Sequence, residues 1–433
     1  MRSTRRVVLV AGFIAVVGLI GRAQEPVAPV PAAARQDPNI KTLVDRLDLE
    51  KYKATIKGLT QFGDRRQGTD RNRAAIDWIE AQLKSYGCTN TERVTYTYPS
   101  AAASDPDAPA RGAGAGGAGR GGRGRGGTAP AGTPAGNDTR RGREGGSTQF
   151  GERSRTGVYQ PDAPGAAPLD ARLQTLNAQP TTPGERQDVY CTKIGTTHPE
   201  EMYIVGGHMD GHGWGEAAND DGSGTALVME VARVFSSPDV QTERSIRFVL
   251  WNNEETGLNG AWAYVNQRKD LQGKENPAGS NRYPEPRWLG MIQHDMMMWD
   301  HGMPGPDGKV SPEQRREADV NIEFQAASKT ADASQKLAWA FKDANDRYAT
   351  DYPASVGPHM TNTDSTPFMN IVAAISLREN ERGMQIGAGW DPNWHQPSDL
   401  FTTYTDKDFR LGLNAAQTTL AAIAGLTGAN IKK

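Results

Sequence analysis

This chain of 433 residues has only two cysteines, 7% aromatic residues and almost no net charge. Forty-nine Lys and Arg against 51 Asp and Glu leave −2, so no global field draws it to nucleic acid or to an anionic membrane. Any partner must be argued from a local site. The apolar run from Val7 to Ile20 is about 14 residues, short of the roughly 20 that a spanning helix needs. Cys88 and Cys191 can form at most one disulfide, which an oxidising compartment would permit. Nothing in the sequence shows that the two thiols meet.

Glycine and proline are abundant instead, 49 and 27 residues, above the roughly 12% of ordinary usage. Part of the chain is therefore expected to lie outside any core. Basic residues Arg2, Arg5 and Arg6, the apolar run, and small Gly21 and Ala23 together read as a secretory signal over residues 1–23. The expected location is periplasmic or extracellular, with no stable membrane association after cleavage. From Arg111 to Gly127 the chain reads RGAGAGGAGRGGRGRGG, too poor in branched apolar residues to offset its ordering entropy. No stacking aromatics interrupt this Arg/Gly tract, which argues against nucleic-acid binding. A low-complexity, disordered insertion over residues 100–186 is the expectation. It divides one folded domain into an N-terminal part, 24–99, and a main part, 187–433.

The remaining pattern alternates. Thr69 and Asp70 open an amphipathic segment, Ala74 to Leu83, that stops at Gly87 as a capped helix does. Val94 to Tyr98 and Asp188 to Ile194 alternate as strands, which places the insertion in a hairpin-like connection. Apolar runs Met202–Val205, Ile246–Trp251, Leu289–Ile292 and Ile371–Ile375 read as buried strands. Helical spacing over 224–235, 331–348 and 407–426 separates or follows them. Such alternation predicts an α/β fold, a mostly parallel central sheet with helices on both faces, whose ligands sit beyond the carboxyl ends of the strands.

The residues just beyond those carboxyl ends carry the chemistry. His208 and Asp210 follow Val205-Gly206-Gly207, and Asp220 stands in Ala218-Asn219-Asp220-Asp221-Gly222-Ser223-Gly224. Glu254 and Glu255 follow Trp251, Asp295 follows Ile292, and His395 precedes Gln396-Pro397-Ser398-Asp399. A lone strand-end histidine is ordinarily a hydrogen-bonded structural residue, and Glu-Glu pairs are common on solvated helices. Several carboxylates and imidazoles converging on one sheet edge are costly unless paired or bound to cations. Mixed nitrogen and oxygen donors suit zinc better than calcium.

In this order the motifs resemble the family of zinc aminopeptidases and glutamate carboxypeptidases, which includes bacterial leucyl-type aminopeptidases, glutaminyl cyclases and the transferrin receptor ectodomain. The resemblance runs from about Ile56 to Gly425, omitting the insertion. It implies a zinc aminopeptidase-like, phosphorylase/hydrolase-like three-layer sandwich with two zinc ions. His208, Asp220 and Glu255 would hold one ion, and Asp220, Asp295 and His395 the other, with Asp220 bridging and Asp221 its competitor. Glu254 would be the general base, and the Asp210 carboxylate would orient the His208 imidazole. His212, His294 and His301 are expected to be structural or pocket-lining, and Met296 to Met298 to pack. The family's Ser-Asp-His-x-Pro-Phe segment is here Thr363-Asp364-Ser365-Thr366-Pro367-Phe368, a departure that bears on the substrate pocket.

The expected activity is an exported exopeptidase, an aminopeptidase acting on N-terminal residues of peptides. A glutamate-type carboxypeptidase is the first alternative, with Arg378 and Arg382 as candidate cations for a terminal carboxylate. Glutaminyl cyclase, which runs with a single zinc, and a non-catalytic binding protein on the same scaffold are alternatives of other classes.

Overall fold

The computed structural model describes residues 36–98, 159, 161–162, 165–166, 168–299, 320–358, 363–379 and 391–432. The expected signal segment and the Arg/Gly tract lie outside these residues. In chain order the elements are α1 (Pro38–Val44), α2 (Leu49–Thr60), α3 (Asp70–Ser85), β1 (Thr91–Tyr98), α4 (Ala171–Asn177), β2 (Gly184–Lys193), β3 (His198–His208), α5 (Gly222–Phe235), β4 (Val240–Gln241) and β5 (Arg244–Trp251). Then come α6 (Asn259–Arg268), β6 (Arg287–His294), β7 (Val320–Glu323), α7 (Ala331–Tyr348), β8 (Ala354–Gly357), β9 (Ala374–Arg378), α8 (Asp406–Thr427) and β10 (Asn430–Ile431).

Eight strands form one sheet in the order β1-β2-β5-β3-β6-β9-β7-β8. The central neighbours β5, β3, β6 and β9 run parallel, while β1 and β2 are antiparallel to their neighbours at one edge. The alternation in β5 shows why both faces are covered. Ile246, Phe248 and Leu250 enter the core shared with α5 and α8, whereas Val249 and Trp251 enter a second core with Tyr264, Trp288 and Phe368. That is the period of a strand buried on both sides. In α5, Leu227, Val228, Met229 and Val231 are fully buried, each side chain contributing about 1.5–3 kcal/mol relative to exposure. Thr69 caps α3 by accepting the Asn72 N–H at 3.2 Å, and Gly87 follows that helix at φ +92°, a conformation suited to glycine at a helix end.

Cys88 and Cys191 are joined in a disulfide, tying the end of α3 to β2. β1 and β2 pair antiparallel from Thr91 opposite Cys191 to Tyr98 opposite Gly184, so the flanks of the long connection are adjacent. The far end of that connection is folded, which trims the 100–186 span: α4 and the start of β2 lie inside it, and the Tyr159 N–H donates to the His395 carbonyl at 3.0 Å. Ile371, expected to begin a strand, is 42% exposed in a turn closed by its N–H on the Phe368 carbonyl. The strand begins three residues later.

Candidate metal centre

Strand register brings the site together. In β3, His208 pairs with Trp251 of β5, and Gly207 pairs with His294 of β6, so Asp295 leaves β6 beside His208. Gly207 permits the approach of α5, because a Cβ there would stand 2.8 Å from the Gly224 carbonyl carbon. The loop from β3 to α5 is held by the buried Arg65. Its guanidinium donates to the carbonyls of Met209 (2.7 Å), Glu216 (2.8 Å) and Ala217 (2.8 Å). Trp214, Ala217, Asn253, Met296 and His395 all have left-handed backbones, a conformation that costs non-glycine residues about 1–3 kcal/mol each and that concentrates at functional sites.

Asp220 is the hub. Its Oδ1 lies 3.3 Å from His208 Nε2 and its Oδ2 3.1 Å from His395 Nε2, so each carboxylate oxygen faces a different imidazole. Asp221 points elsewhere: its carboxylate accepts the N–H groups of His208 (2.9 Å), Gly224 (2.9 Å) and Met296 (3.1 Å), and so caps α5. Asp399, from the segment after His395, accepts the N–H of Asn219 at 2.8 Å and of Asp220 at 3.1 Å.

Two donor groups result. His208, Asp220 and Asp295 form one, with Asp295 Oδ1 3.9 Å from His208 Nε2. Glu255 and His395 belong to the other, with Glu255 Oε2 3.0 Å from His395 Nε2. The shortest contacts thus pair Asp295 with His208 and Glu255 with His395, whereas the expected partition put Glu255 with His208 and Asp295 with His395. Asp295 stands beside His208 because β6 and β3 are adjacent, while Glu255 lies four residues past β5 and reaches the loop that carries His395. A Glu254 carboxylate oxygen also approaches His208 and Glu255, all three donor atoms lying within 4.8 Å of one another.

Asp210 departs from expectation too. The His208 Nδ1 meets the Asp210 main-chain carbonyl at 2.9 Å, while the Asp210 carboxylate stays 4.0 Å away. That carboxylate accepts the Glu254 N–H at 3.0 Å. Asp210 therefore positions Glu254 with its side chain and His208 with its backbone.

Arg378, a candidate for a substrate carboxylate, is buried and donates Nη2 to Asp295 Oδ2 at 2.6 Å, an oxygen that also accepts from Thr363 Oγ1 at 2.6 Å. Arg382 and His301 lie outside the described residues. His294 is structural as expected, its ring between the Gly206 carbonyl (3.0 Å) and Thr419 Oγ1 (2.8 Å); burial, only partly opposed by the Gly206 contact, lowers its pKa to about 4. Met296, Met297 and Met298 are buried, and their N–H groups hold Asp221, Asn219, Ser223 and Glu379.

The electrostatics are those of a cation site. Burial lowers the His208 pKa, but Glu254, Asp221 and Asp220 outweigh it and hold the imidazole well above its usual value. His395 is likewise pushed up to about 9, Glu255 and Asp220 overcoming burial. Burial works against charge on Glu255, yet His212 and His395 hold its carboxyl well below the usual range. Asp210 rises to about 7, chiefly through burial. Buried Glu255 Oε1 makes no hydrogen bond, a state that costs about 1–3 kcal/mol for a polar group and that a bound cation relieves. The donor set fits zinc, which takes imidazole nitrogen and carboxylate oxygen.

His/carboxylate donors on either side of the Asp220 carboxylate, at the carboxyl edge of a mostly parallel sheet, form a candidate metal centre. Residues 189–418 match peptidase family M28. The chain belongs to that family. Aminopeptidase YwaD of Bacillus subtilis is 36% identical over 84 residues, 19% of this chain and 18% of that protein. Carboxypeptidase Q of Xenopus laevis is 36% identical over 76 residues, 18% and 16% of the two chains. These matches span less than a fifth of either relative. Over most of its length the fold resembles an aminopeptidase from Aneurinibacillus sp. strain AM-1 (TM-score 0.54, 17% identity, covering 91% of this chain and 97% of that one). It also resembles a zinc aminopeptidase from Bacillus subtilis (0.54, 15%, 89% and 96%) and a glutaminyl cyclase from Porphyromonas gingivalis (0.50, 12%, 88% and 99%).

Proposed function

We propose that the protein is an exported, zinc-dependent aminopeptidase that removes N-terminal residues from peptides. In this reading His208, Asp220 and Asp295 hold one zinc and Asp220, Glu255 and His395 hold the second. The observation that carries it is the bidirectional Asp220 carboxylate, one oxygen toward His208 and the other toward His395. The signal-like residues 1–23 support export, and no helix among the described residues is long and apolar enough to cross a membrane.

Bound zinc would polarise the scissile carbonyl and lower the pKa of water at the site. Glu254 takes the proton from the attacking water and delivers it to the leaving amine. The Asp210 carboxylate fixes Glu254 through its N–H, and Asp399 fixes the bridging residue through two N–H groups. Arg378 and Thr363 hold one Asp295 oxygen, leaving the other turned toward His208.

Of the two cations expected to serve a carboxypeptidase, Arg378 is already committed to Asp295, which supports the aminopeptidase reading. Glutaminyl cyclase is the second reading, and the family's single-zinc form of that chemistry contrasts with the separate donor groups around His208 and His395. The test is zinc analysis of the mature protein together with hydrolysis of a peptide and its N-acetylated twin, with and without chelator. About two zinc per chain and chelator-sensitive cleavage of the free peptide alone support the proposal. Cleavage of both peptides from the carboxyl end overturns it in favour of a carboxypeptidase.

A further inference from the structure

The loop that leaves β3 carries an imidazole that the expected ligand set does not use. His212 Nε2 lies 3.2 Å from Glu255 Oε2 and 3.1 Å from His395 Nε2, and His395 Nε2 lies 3.0 Å from that same Glu255 oxygen. The three donor atoms form a triangle with nearly equal edges. Donors that share one tetrahedral zinc through bonds of about 2.0–2.1 Å stand about 3.3 Å apart. A hydrogen bond between the two rings satisfies one pair of nitrogens and leaves the carboxylate oxygen to a single donor. A cation among the three satisfies all of them together.

The backbone places His212 there by tight packing. Gly213 has φ +102°, and a Cβ at that position would lie 2.3 Å from the His395 carbonyl carbon. A Cβ at Gly211 would lie 2.6 Å from the Ala217 Cβ. The loop is thus pressed onto the His395 backbone, and the His212 and His395 rings meet edge to face with centroids 4.0 Å apart. The His212 side chain is 17% exposed, at the rim of a site whose other donors are almost fully enclosed.

We propose that His212 is a fourth protein ligand at the Asp220, Glu255 and His395 position. This deepens the two-zinc reading above and rests on it. The two positions then differ in kind. One would offer His212, Glu255 and His395 with the Asp220 oxygen beside His395, four protein donors; the other would offer three, His208 with Asp220 and Asp295. Closed sets of four protein donors are typical of firmly held zinc, and open sets of three of exchangeable catalytic positions. The added imidazole also tilts the closed position toward zinc and similar transition ions over magnesium or manganese.

The test is zinc titration of full-length mature wild type, His212→Ala and His212→Asp against a competing chelator of known affinity, with X-ray absorption counting imidazoles at one zinc per chain. Wild type is expected to bind two zinc ions, the tighter one carrying two imidazoles. In His212→Ala the tighter affinity falls by at least about 100-fold, beyond the 10–100-fold that loss of an outer partner of a ligand typically costs, and the count drops to one imidazole. His212→Asp, which returns an oxygen donor, recovers part of that affinity and checks that the loop still folds. Two zinc ions with unchanged affinity and imidazole count in His212→Ala overturn the proposal and leave the two-zinc reading standing. A wild type that takes up no zinc overturns both.

Discussion

Asp399 accepts the main-chain N–H groups of Asn219 and Asp220, at 2.8 and 3.1 Å, with its two carboxylate oxygens. The residue that orders the bridging carboxylate therefore lies four positions after His395, and one short segment serves both donor groups. In Asp399→Asn the amide nitrogen faces an N–H it cannot accept. Hydrogen bonds to a charged group contribute about 1.5–3 kcal/mol, so the variant should unfold at lower urea concentration. It should also lose zinc affinity by about 10–100-fold, the usual effect of removing an outer partner of a metal ligand. Unchanged affinity would show that Asp220 keeps its orientation without this clamp.

Arg378 provides a second check. It is buried against Asp295 Oδ2, and breaking a buried pair by removing one partner costs about 3–5 kcal/mol. Arg378→Ala should be destabilised by about that amount in denaturant unfolding and should bind zinc more weakly at the His208 and Asp295 position. It should not alter the preference between a peptide with a free carboxyl terminus and its amide. A selective loss of activity on the free acid would instead assign Arg378 to substrate binding.

The Cys88 to Cys191 bond closes a separation of 103 residues, for which the chain-entropy account gives about 4–5 kcal/mol. Cys88→Ser should lower the denaturation midpoint accordingly. Because β1 and β2 remain paired beside the bond, removal of Arg111 to Gly127 from the oxidised protein should leave that midpoint and the zinc content unchanged. A shared loss of stability in both variants would mean that the tract packs on the domain.

Much of this architecture was legible where the sequence is strongly periodic or capped. The expected helix at 331–348 is α7, and the run Ile246 to Trp251 is the buried part of β5. The four-residue strands β7 and β8 were not legible, since Val320–Glu323 and Ala354–Gly357 are too short to show a period. Nor were α2 and α6, in which Lys, Thr, Asn and Gln interrupt the apolar stripe. At the site, position after a strand pointed to His208, Glu255 and Asp295, whereas Asp220 and His395 were picked out by the motifs that carry the family resemblance. Their grouping depended on strand order and on how far each loop rises above the sheet, which no local pattern encodes. The role of the Asp210 carboxylate was missed because its partner, the Glu254 N–H, is 44 positions away. His212 had a signal, the His208-x-Asp210-x-His212 spacing, but only the packing of Gly213 on His395 gives that spacing a meaning.

In the proposed reaction Glu254 moves the proton while other residues hold the metal. The most direct test of that role is zinc content and initial rate on a peptide with a free N-terminus, measured for wild type and Glu254→Ala side by side. Both proteins should hold about two zinc ions, and the variant's rate should be lower by about 10²–10⁴, the range of a general base. Near-native turnover by Glu254→Ala with its zinc intact would contradict that role.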